Sequence, residues 1–456
     1  QERGEGGEGA PSLLVGVPRV HRLHIGSIQR RDPGPRRGIA TGFGRQRKSR
    51  DLMMSKVALF GVGRLGICTA LCLEKAGFDV LGVDVNQSYV DKLNARTLNS
   101  PEPRVSEMLR ECTNFRATTD NDEGMNFSDL IMIVVATPST GVDDRHYDHS
   151  QLSSVLSALN ARKLQNKHVV ICCTVMPGYC RSTGSFLLRD CPNTTLSYNP
   201  EFIAQGDVVR GLLNPDMVLI GEGCKEVGAI LEDMYRRMCT NQPVIKRMSV
   251  DSAEICKLAV NCFVTTKIAF ANMVGDIADL TEGADKHDIL DCVGADSRIG
   301  HKYLKPGYGF GGPCFPRDNR ALGSYARSVG VEPLIPMATD SANKLHTKSQ
   351  AEQLLSLPQQ EFTMEGIGYK EHCSVPIIEE SQKLHIAAML ARAGRRVTVK
   401  DNDGLILAVQ QQYGNLFSYE STGSADFHPQ PHASALMVEI HKSLGDSMMG
   451  PSSPLH

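Results

Sequence analysis

Residues 56–66 read Lys56-Val-Ala-Leu-Phe-Gly-Val-Gly-Arg-Leu-Gly66. The apolar start of this stretch predicts a short buried strand, and its glycine-rich end leads into a helical pattern that Gly77 ends. A second strand is predicted at Asp79-Val-Leu-Gly-Val-Asp84. Strand, glycine turn, helix and strand in this order predict a Rossmann-type βαβ unit.

The spacing of the three glycines predicts a dinucleotide site. Gly61 permits the tight turn, Gly63 lets a pyrophosphate approach the backbone, and Gly66 allows the helix to pack closely on the strand. Asp84 lies about 20 residues further on, where an acid accepts hydrogen bonds from a ribose 2′-hydroxyl. No arginine follows it to hold a 2′-phosphate, which favours NAD over NADP. The alternative is a glycine turn in an unrelated βαβ unit. The predicted cofactor-binding residues are Gly61, Val62, Gly63, Arg64, Leu65, Gly66, Asp84, Thr137 and Thr174.

Two further apolar runs, residues 130–135 and 168–173, predict strands that each end near a threonine. Strands that alternate with helical segments predict a doubly wound parallel sheet, whose ligands bind at the carboxyl ends of the strands. Thr137 and Thr174 both follow such ends. Either threonine alone could cap a helix or start a turn, but two at equivalent positions beside one crevice favour a role in binding.

Composition excludes several classes of function. The chain has 456 residues and 41% hydrophobic content, enough for two or three domains. A net charge of −2 gives no indication of a nucleic-acid or anionic-membrane partner. No apolar run approaches the roughly 18 residues of a membrane span. The 14 cysteines are scattered without C-x-x-C spacing, which predicts reduced thiols, a cytoplasmic protein and no metal site.

The chain divides into four predicted segments. Residues 1–53 are rich in Arg and Gly and lack hydrophobic periodicity, which predicts a disordered leader; the acidic Glu2, Glu5 and Glu8 argue against an organelle-targeting leader. An NAD-binding domain is predicted at 54–245 and a central helical domain at 246–345. A smaller α/β domain is predicted at 346–456, with a degenerate tail after about residue 413.

A second informative stretch is Gly309-Phe-Gly-Gly-Pro-Cys-Phe-Pro-Arg-Asp318. It holds Cys314 in a glycine-rich turn between two prolines, on a backbone that a substrate can approach closely. A lone cysteine of this kind could be structural. Upstream, Lys257 and Asn261 are spaced i, i+4 and share one face of a mostly apolar helix. The alternative to a functional role is that the Lys257 ammonium group extends to water and Asn261 is solvated.

A hydride acceptor and a thiol together indicate a stepwise oxidation. An alcohol loses a hydride to give an aldehyde, the Cys314 thiolate adds to form a thiohemiacetal, and a second hydride loss gives a thioester that water hydrolyses to an acid. Lys257 and Asn261 are predicted to stabilise the oxyanion. Asp318 is a predicted base or water-orienting group, and Glu201 is the predicted base for hydrolysis. The predicted catalytic residues are Cys314, Lys257, Asn261, Asp318, Glu201 and Thr137.

Six motifs follow one another along the chain: Gly61-Val-Gly-Arg-Leu-Gly66, Ala136-Thr-Pro138, Thr174-Val-Met-Pro177, Asn199-Pro-Glu-Phe202, Lys257-Leu-Ala-Val-Asn261 and Pro306-Gly-Tyr-Gly-Phe-Gly-Gly-Pro-Cys-Phe-Pro-Arg-Asp318. With these motifs the chain resembles the UDP-glucose/GDP-mannose dehydrogenase family over about residues 55–400. The resemblance implies the oxidation of a nucleotide sugar at C6 by two NAD⁺, with Cys314 as nucleophile. It also implies a homodimer or higher homo-oligomer formed through the central helical segment, and a C-terminal domain that holds the nucleotide.

The same resemblance implies the substrate site. Arg298 is expected to reach the substrate of the partner subunit, and Lys370 to bind substrate from the last domain. Cys-Phe-Pro-Arg-Asp resembles the members that oxidise UDP-glucose to UDP-glucuronate. Oxidation of GDP-mannose or a UDP-N-acetylhexosamine is the alternative, and a non-catalytic nucleotide-sugar or NAD-binding protein is another. The expected substrate-binding residues are Glu201, Phe202, Lys257, Asn261, Arg298, Lys305, Phe310, Gly311 and Lys370.

Three departures from the family pattern stand out: the first weakens any role as a base at its position while preserving hydrogen bonding, and the other two concern the nucleotides. Gln205 stands where many members carry a second glutamate. Val375-Pro-Ile-Ile-Glu-Glu-Ser381 replaces Asp-x-Arg-Glu-Ser, so the arginine expected near NAD is missing. After Asp401 neither the later strands nor a basic nucleotide-binding residue can be recognised, which predicts weaker nucleotide binding or a domain completed differently.

Overall fold

The computed structural model describes residues 55–140, 147–203, 206–370 and 375–423. The predicted leader at 1–53 and Gln205 lie outside the described residues. Most of the predicted tail, from residue 424 onward, lies outside them as well.

The first part of the chain alternates strands with helices. A π-helical turn, Cys180–Gly184, leads directly into the three-residue helix α6. The strands are β1 Lys56–Phe60, β2 Asp79–Val83, β3 Phe115–Thr118, β4 Leu130–Ile133, β5 His168–Ile171, β6 Thr195–Tyr198, β7 Met217–Gly221 and β8 Val244–Met248. The helices are α1 Arg64–Lys75, α2 Gln87–Asn94, α3 Val105–Glu111, α4 Asn121–Phe127, α5 Ser150–Ala161, α6 Ser185–Leu187, α7 Val208–Leu213 and α8 Lys225–Met238.

The eight strands form one sheet in the order β3-β2-β1-β4-β5-β6-β7-β8. All neighbours pair in parallel except β6 and β7, which are antiparallel. The chain therefore reverses its direction of strand addition between β1 and β4, the point at which doubly wound sheets bind ligands. The predicted Rossmann-type fold is confirmed. Strand β8 was not predicted, because Val244-Ile-Lys-Arg-Met248 is only half apolar.

The sheet is buried on both faces. Alternate residues of β1 enter two different hydrophobic clusters, with Val57 and Leu59 in one and Ala58 and Phe60 in the other. Side chains of a strand point alternately to opposite faces, so each cluster fills the space between the sheet and one layer of helices. Because both faces are buried, the position of the sheet is fixed, and so is the edge formed by the carboxyl ends of its strands.

The central part is helical, as predicted. It contains α9 Val250–Asp279, α10 Lys286–Ala295, α11 Phe315–Ser328 and α12 Leu334–Ser356. The Ser249 hydroxyl accepts a hydrogen bond from Ser252 N and caps α9. Among the described residues, α9 is the one helix whose length and mean hydropathy would allow it to cross a membrane. It packs on α11 and α12 and buries four charged or amide side chains, Glu254, Lys257, Asn261 and Asn272.

A second, smaller α/β unit follows. It consists of β9 Glu361–Glu365, α13 Gln382–Arg392, β10 Arg396–Asp401, α14 Asp403–Tyr413 and β11 Ser418–Ser421. The strands are parallel in the order β11-β10-β9 and have their own hydrophobic cluster. The smaller α/β fold predicted for this part of the chain is present, with α13 and β10 among its elements. Strand β11 lies in the segment that the sequence predicts to be a tail. The strand is short and mostly exposed, so its sequence lacks the apolar pattern that would predict a strand.

Candidate active site

The glycine turn after β1 has the shape that a pyrophosphate requires. Gly61 has a φ of +89°, and a Cβ on Gly66 would lie 2.0 Å from the Gly61 carbonyl oxygen. Neither position tolerates a side chain. A Cβ on Gly63, by contrast, would meet nothing within 4 Å. The turn therefore packs tightly at both ends and leaves its middle residue open at the start of α1, where Arg64 and Leu65 begin the helix.

Asp84 lies at the end of β2, beside this turn. Its Oδ2 accepts a 3.3 Å hydrogen bond from Val62 N, and its Oδ1 accepts a 3.1 Å bond from Asn86 N. The Tyr89 hydroxyl donates to the Val62 carbonyl oxygen over 2.9 Å. The half-buried carboxylate is thus fixed at the edge of the turn, in the position where an acid contacts a nucleotide ribose.

The two threonines follow neighbouring strands, as predicted. Thr137 is buried after β4, and Thr174 is half-buried after β5. The Thr137 carbonyl oxygen accepts a 2.9 Å hydrogen bond from Arg317 Nη1. Since Arg317 lies on α11 directly after the cysteine turn, this bond attaches the cysteine-bearing helix to the dinucleotide edge of the sheet.

The cysteine turn packs closely against the C-terminal unit. Gly312 has a φ of +83°, and its N–H donates to the Glu379 carbonyl oxygen over 2.9 Å. A Cβ on Gly311 would lie 2.3 Å from the Glu380 carbonyl oxygen. Cys314 then occupies the N-cap position of α11. The glycines are therefore required by close backbone packing, and the cysteine is held where a helix begins.

The preceding residue of this loop is also fixed. Phe310 is buried, and its N–H donates to Asn343 Oδ1 over 2.8 Å. Asn343 Nδ2 returns a 2.9 Å bond to the Phe310 carbonyl oxygen. A reciprocal pair of this kind satisfies both polar groups of one residue and holds the loop on α12.

Lys257 and Asn261 are buried on α9, with exposures of 6% and 8%. Lys257 Nζ donates a 2.6 Å hydrogen bond to the Glu201 carbonyl oxygen and lies 4.4 Å from the centre of the Phe202 ring. The alternative of a solvated pair is therefore not what the structure shows. Among the described residues, one carbonyl and one ring hold this buried ammonium, which retains N–H groups for a further acceptor.

Asp318 is the centre of a buried network. Its exposure is 1%, its Oδ2 accepts from Asn261 Nδ2 over 2.7 Å, and its Oδ1 accepts from the Tyr147 hydroxyl over 2.8 Å. Arg317 Nε lies 3.3 Å from the same Oδ1. Both carboxylate oxygens are thus engaged by donors from other segments.

The charges around Cys314 oppose one another. Burial raises the pKa of the Cys314 thiol, and the Asp318 carboxylate raises it further. The guanidinium of Arg317 and the ammonium of Lys257 lower this pKa, while the Glu379 carboxylate raises it. The Cys314 residue is half-buried, and the influences that raise the pKa of its thiol outweigh those that lower it.

Glu201 follows β6 and faces the interior of the NAD-binding part. The Tyr235 hydroxyl contacts Asn199 Oδ1 at 2.8 Å and Glu201 Oε1 at 3.1 Å. Burial raises the pKa of the Glu201 carboxyl to about 7, although the Tyr235 hydrogen bond and the Lys257 charge act in the opposite direction. A cavity of about 10 Å³ adjoins this group, about the space of one water. The carboxyl can therefore take up or release a proton near neutral pH.

Three predicted substrate residues, Arg298, Lys305 and Lys370, form no hydrogen bond or ion pair with Cys314 among the residues that the structure describes. Arg298 is exposed and paired with Asp296 over 2.6 Å, and Lys305 is exposed beside the loop that carries Phe310. Lys370 is half-buried, with Nζ 5.9 Å from the Tyr369 ring centre. In the described part of the chain, no group of three or more His, Cys, Asp or Glu could hold a metal ion.

The structure adds residues that sequence reasoning missed. Tyr147 and Tyr235 lie outside every recognisable motif, so no local signal marks them. Arg317 stands inside the cysteine motif and could have been found there. Glu379 belongs to the segment that lacks the expected arginine, and its carboxylate accepts a 3.3 Å hydrogen bond from the Ser139 hydroxyl after β4. A negative charge thus occupies the dinucleotide edge.

Comparison with known proteins agrees with this geometry. The profile of the UDP-glucose/GDP-mannose dehydrogenase family matches residues 55–239 by its NAD-binding domain and 251–345 by its central domain. The UDP-glucose 6-dehydrogenase of Bacillus subtilis (strain 168) is 31% identical over 76% of this chain and 76% of its own length. The GDP-mannose 6-dehydrogenase of Pseudomonas savastanoi pv. phaseolicola is 29% identical over 76% of this chain and 81% of its own. A UDP-glucose dehydrogenase structure from Pyrobaculum islandicum superposes with a TM-score of 0.72 at 27% identity, covering 80% of this chain and 86% of that one.

Proposed function

Since the chain belongs to the UDP-glucose/GDP-mannose dehydrogenase family of NAD-dependent nucleotide-sugar 6-dehydrogenases, we propose that it oxidises the C6 alcohol of UDP-glucose to the carboxylate of UDP-glucuronate. The observation that carries the proposal is the bond from Arg317 to the Thr137 carbonyl oxygen. It joins the first turn of the cysteine helix to the edge where the glycine turn lies.

In the first half of the reaction, the chain positions the C6 hydroxyl and compensates charge on its oxygen. NAD, when bound, would accept the hydride that leaves C6 in each of the two oxidations, and the proton of the C6 hydroxyl would pass to solvent water in the first. Lys257 retains N–H groups beyond its bond to the Glu201 carbonyl and supplies the positive charge next to the reacting oxygen. Asn261 presents the second N–H of its amide, because the first is committed to Asp318.

In the second half, Cys314 supplies the covalent step. Its sulfur bonds to the aldehyde carbon, the thiol proton passes to the aldehyde oxygen, and the product is a thiohemiacetal. Loss of hydride and of the hydroxyl proton then gives a thioester. Because burial raises the pKa of the Cys314 thiol, the positive charges of Arg317 and Lys257 are needed to favour the thiolate at the moment of attack.

Hydrolysis completes the oxidation. Glu201, with a pKa of about 7, takes a proton from water as the water oxygen attacks the thioester carbon, and the C–S bond breaks to restore Cys314. Asp318 is assigned a different part. Because both of its oxygens already accept hydrogen bonds, it orients Asn261 and the first turn of α11 rather than accepting the water proton.

The proposed reaction has a stoichiometry that tests it. Purified protein with excess NAD⁺ and limiting UDP-glucose should produce two NADH per sugar, measured by absorbance, and a carboxylated product. A yield near one, or none with any nucleotide sugar, contradicts the proposal. Calorimetry that shows NAD and nucleotide-sugar binding without turnover would support a non-catalytic binding protein instead.

GDP-mannose is the second candidate substrate, because GDP-mannose 6-dehydrogenases match this chain over the same share of its length. The cysteine motif is the feature that favours UDP-glucose. Measuring kcat/KM with UDP-glucose, GDP-mannose and a UDP-N-acetylhexosamine decides between them. A pocket whose polar groups hydrogen-bond one nucleobase leaves those polar groups unpaired when a different nucleobase binds.

The same proposal includes three further properties: a dimer, a cytoplasmic location and domains with the limits 54–245, 246–345 and 346–456.

An apolar stripe along α9 supports the dimer, because the large side chains of this stripe are exposed in the single chain. Charge introduced by Phe270→Glu should convert a dimer to a monomer in analytical ultracentrifugation, whereas an unchanged mass contradicts this assignment. The stripe consists of Phe263, Phe270, Met273 and Ile277, with Leu280 directly after the helix.

A further inference from the structure

Tyr147 is a buried tyrosine that stands in no motif and has an exposure of 4%. Its ring packs with Leu258 of α9 and Ala321 of α11, and the Arg317 guanidinium lies 4.5 Å from the ring centre. Its hydroxyl donates a 2.8 Å hydrogen bond to Asp318 Oδ1. One side chain thus contacts the cysteine helix, the central helix and both charged residues that follow the cysteine turn.

The acceptor of this hydrogen bond lies on the helix that Cys314 begins. Asp318 N donates to the Cys314 carbonyl oxygen over 2.8 Å, so Asp318 lies on the helical turn that the cysteine begins. Its carboxylate receives Tyr147 on one oxygen and Asn261 on the other. A carboxylate with two such donors is fixed in orientation, and its negative charge is partly offset.

This offset matters for the sulfur. Four charged groups act on the Cys314 thiol, namely Asp318 and Arg317 from its own helix, Lys257 from α9 and Glu379 from the C-terminal unit. After burial, the Asp318 carboxylate is the strongest of the influences that raise the pKa of this thiol. A donor that stabilises the carboxylate charge weakens its repulsion of a thiolate.

We propose that Tyr147 is a positioning residue for Cys314, which holds the Asp318 carboxylate against Asn261 and reduces its repulsion of the thiolate. The inference rests on the proposed function only in taking Cys314 as the nucleophile. Removing the Tyr147 hydroxyl should therefore change the reactivity of the Cys314 sulfur, although Tyr147 acts on that sulfur only through Asp318.

The test measures the sulfur directly. Iodoacetamide alkylation is followed from pH 6 to 10 by mass spectrometry of the tryptic peptide 303–317, which contains Cys314 and no other cysteine. Tyr147→Phe should slow alkylation at pH 8 by roughly threefold to tenfold and move the pH midpoint upward. Asp318→Asn removes the charge and should accelerate alkylation.

The double variant distinguishes an action through Asp318 from a general disturbance. If Tyr147 acts through the carboxylate, Tyr147→Phe added to Asp318→Asn should change the alkylation rate by less than about twofold. The same slowing in both backgrounds overturns the proposal. Tyr179→Phe is the matched control, because Tyr179 is also buried and its hydroxyl contacts Ser153 instead. It should leave the Cys314 profile unchanged.

Two further kinds of measurement distinguish a folding defect from a loss of activity. NAD affinity and the unfolding temperature of Tyr147→Phe report whether the fold is intact, and a wild-type pH midpoint in a well-folded Tyr147→Phe overturns the proposal. With nucleotide sugar, Tyr147→Phe should lower kcat by roughly tenfold while KM changes by less than twofold. Wild-type protein that turns over no nucleotide sugar contradicts the proposed function and leaves the alkylation result to stand by itself.

Discussion

Asn261 Nδ2 donates a 2.7 Å hydrogen bond to Asp318 Oδ2 across 57 residues of sequence. The bond joins the middle of the central helix α9 to the first turn of α11, and both partners are buried. It fixes which face of the Asn261 amide remains for a substrate oxygen, and it uses a carboxylate oxygen that would otherwise be free to act as a base.

Exchanging the partners of this bond tests it. Asn261→Asp places two buried carboxylates in contact, and because both cannot remain ionised at this distance, stability should fall by about 3 kcal/mol. Adding Asp318→Asn restores one donor and one acceptor and should recover most of that loss, as measured by urea unfolding. A double variant no more stable than Asn261→Asp would contradict the pairing.

Replacing the nucleophile should stop acid formation. Cys314→Ser puts a hydroxyl, which scarcely ionises, in place of the thiol, so the release of acid should fall by at least about 10³-fold while NAD affinity is unchanged. Product analysis and NAD titration measure the two effects. Cys292→Ser is the control, because Cys292 is exposed on α10, away from the site. Full acid formation by Cys314→Ser would exclude a covalent route.

The titration of Glu201 should determine how kcat falls on the acid side of its pH profile. Its pKa is raised to about 7, so kcat should fall as the pH drops below about 7, where the base is protonated. Glu201→Gln should lower kcat at all pH values and remove this limb. A pH profile that keeps the limb in Glu201→Gln assigns it to another group.

The same shift has a consequence for stability. The folded protein holds a proton on Glu201 that the unfolded chain releases between about pH 4.5 and 7. This group therefore contributes stability below pH 4.5 that is lost as the pH rises through 7. The free energy of unfolding of Glu201→Gln should decline less than that of wild type over this interval, as measured by urea unfolding at several pH values.

Glu379 should weaken NAD binding. Its carboxylate contacts Ser139 after β4, and β4 neighbours β1, whose end carries the pyrophosphate turn. Glu379→Arg should lower the Kd for NAD⁺ by roughly threefold to tenfold, with a smaller gain in 0.5 M salt because the attraction is screened. Glu332→Gln removes another exposed carboxylate, on the loop before α12, and should have no effect. An unchanged Kd in Glu379→Arg would place the pyrophosphate away from Glu379.

Close packing at the cysteine turn should make one glycine irreplaceable. A Cβ on Gly311 meets the Glu380 carbonyl oxygen at 2.3 Å, whereas a Cβ on Gly307 meets nothing within 4 Å. Gly311→Ala should lower the unfolding temperature by several degrees, or detach the C-terminal unit from the turn, while Gly307→Ala stays within about 1 °C of wild type. Differential scanning calorimetry compares the two, and equal temperatures would contradict this packing.

The dinucleotide half of the site could be predicted from sequence because its determinants are local. A glycine is required at Gly61 by its own backbone angle, and at Gly66 by a carbonyl five residues away. The i, i+4 spacing placed Lys257 and Asn261 on one helix face for the same reason. The segment at 418–421 was missed because a short, mostly exposed strand has no apolar alternation to detect.

The partners of the chemical groups could not be predicted in this way. Tyr147 and Asp318 are 171 residues apart, and Ser139 and Glu379 are 240 apart. No periodicity relates such positions, since each contact depends on how the packed helices and the C-terminal unit come together. The raised pKa of Glu201 likewise comes from burial, which belongs to the assembled interior and not to the residues beside it.

The sequence by itself determined the doubly wound sheet, the NAD turn, the cysteine turn and the central helix, because backbone sterics and side-chain periodicity act within a few residues. Only the tertiary structure decided that Asp318 is fully hydrogen-bonded, that the Cys314 thiol is enclosed among opposing charges, and that a carboxylate stands at the dinucleotide edge. Those properties depend on distance and burial, which arise when remote segments pack together.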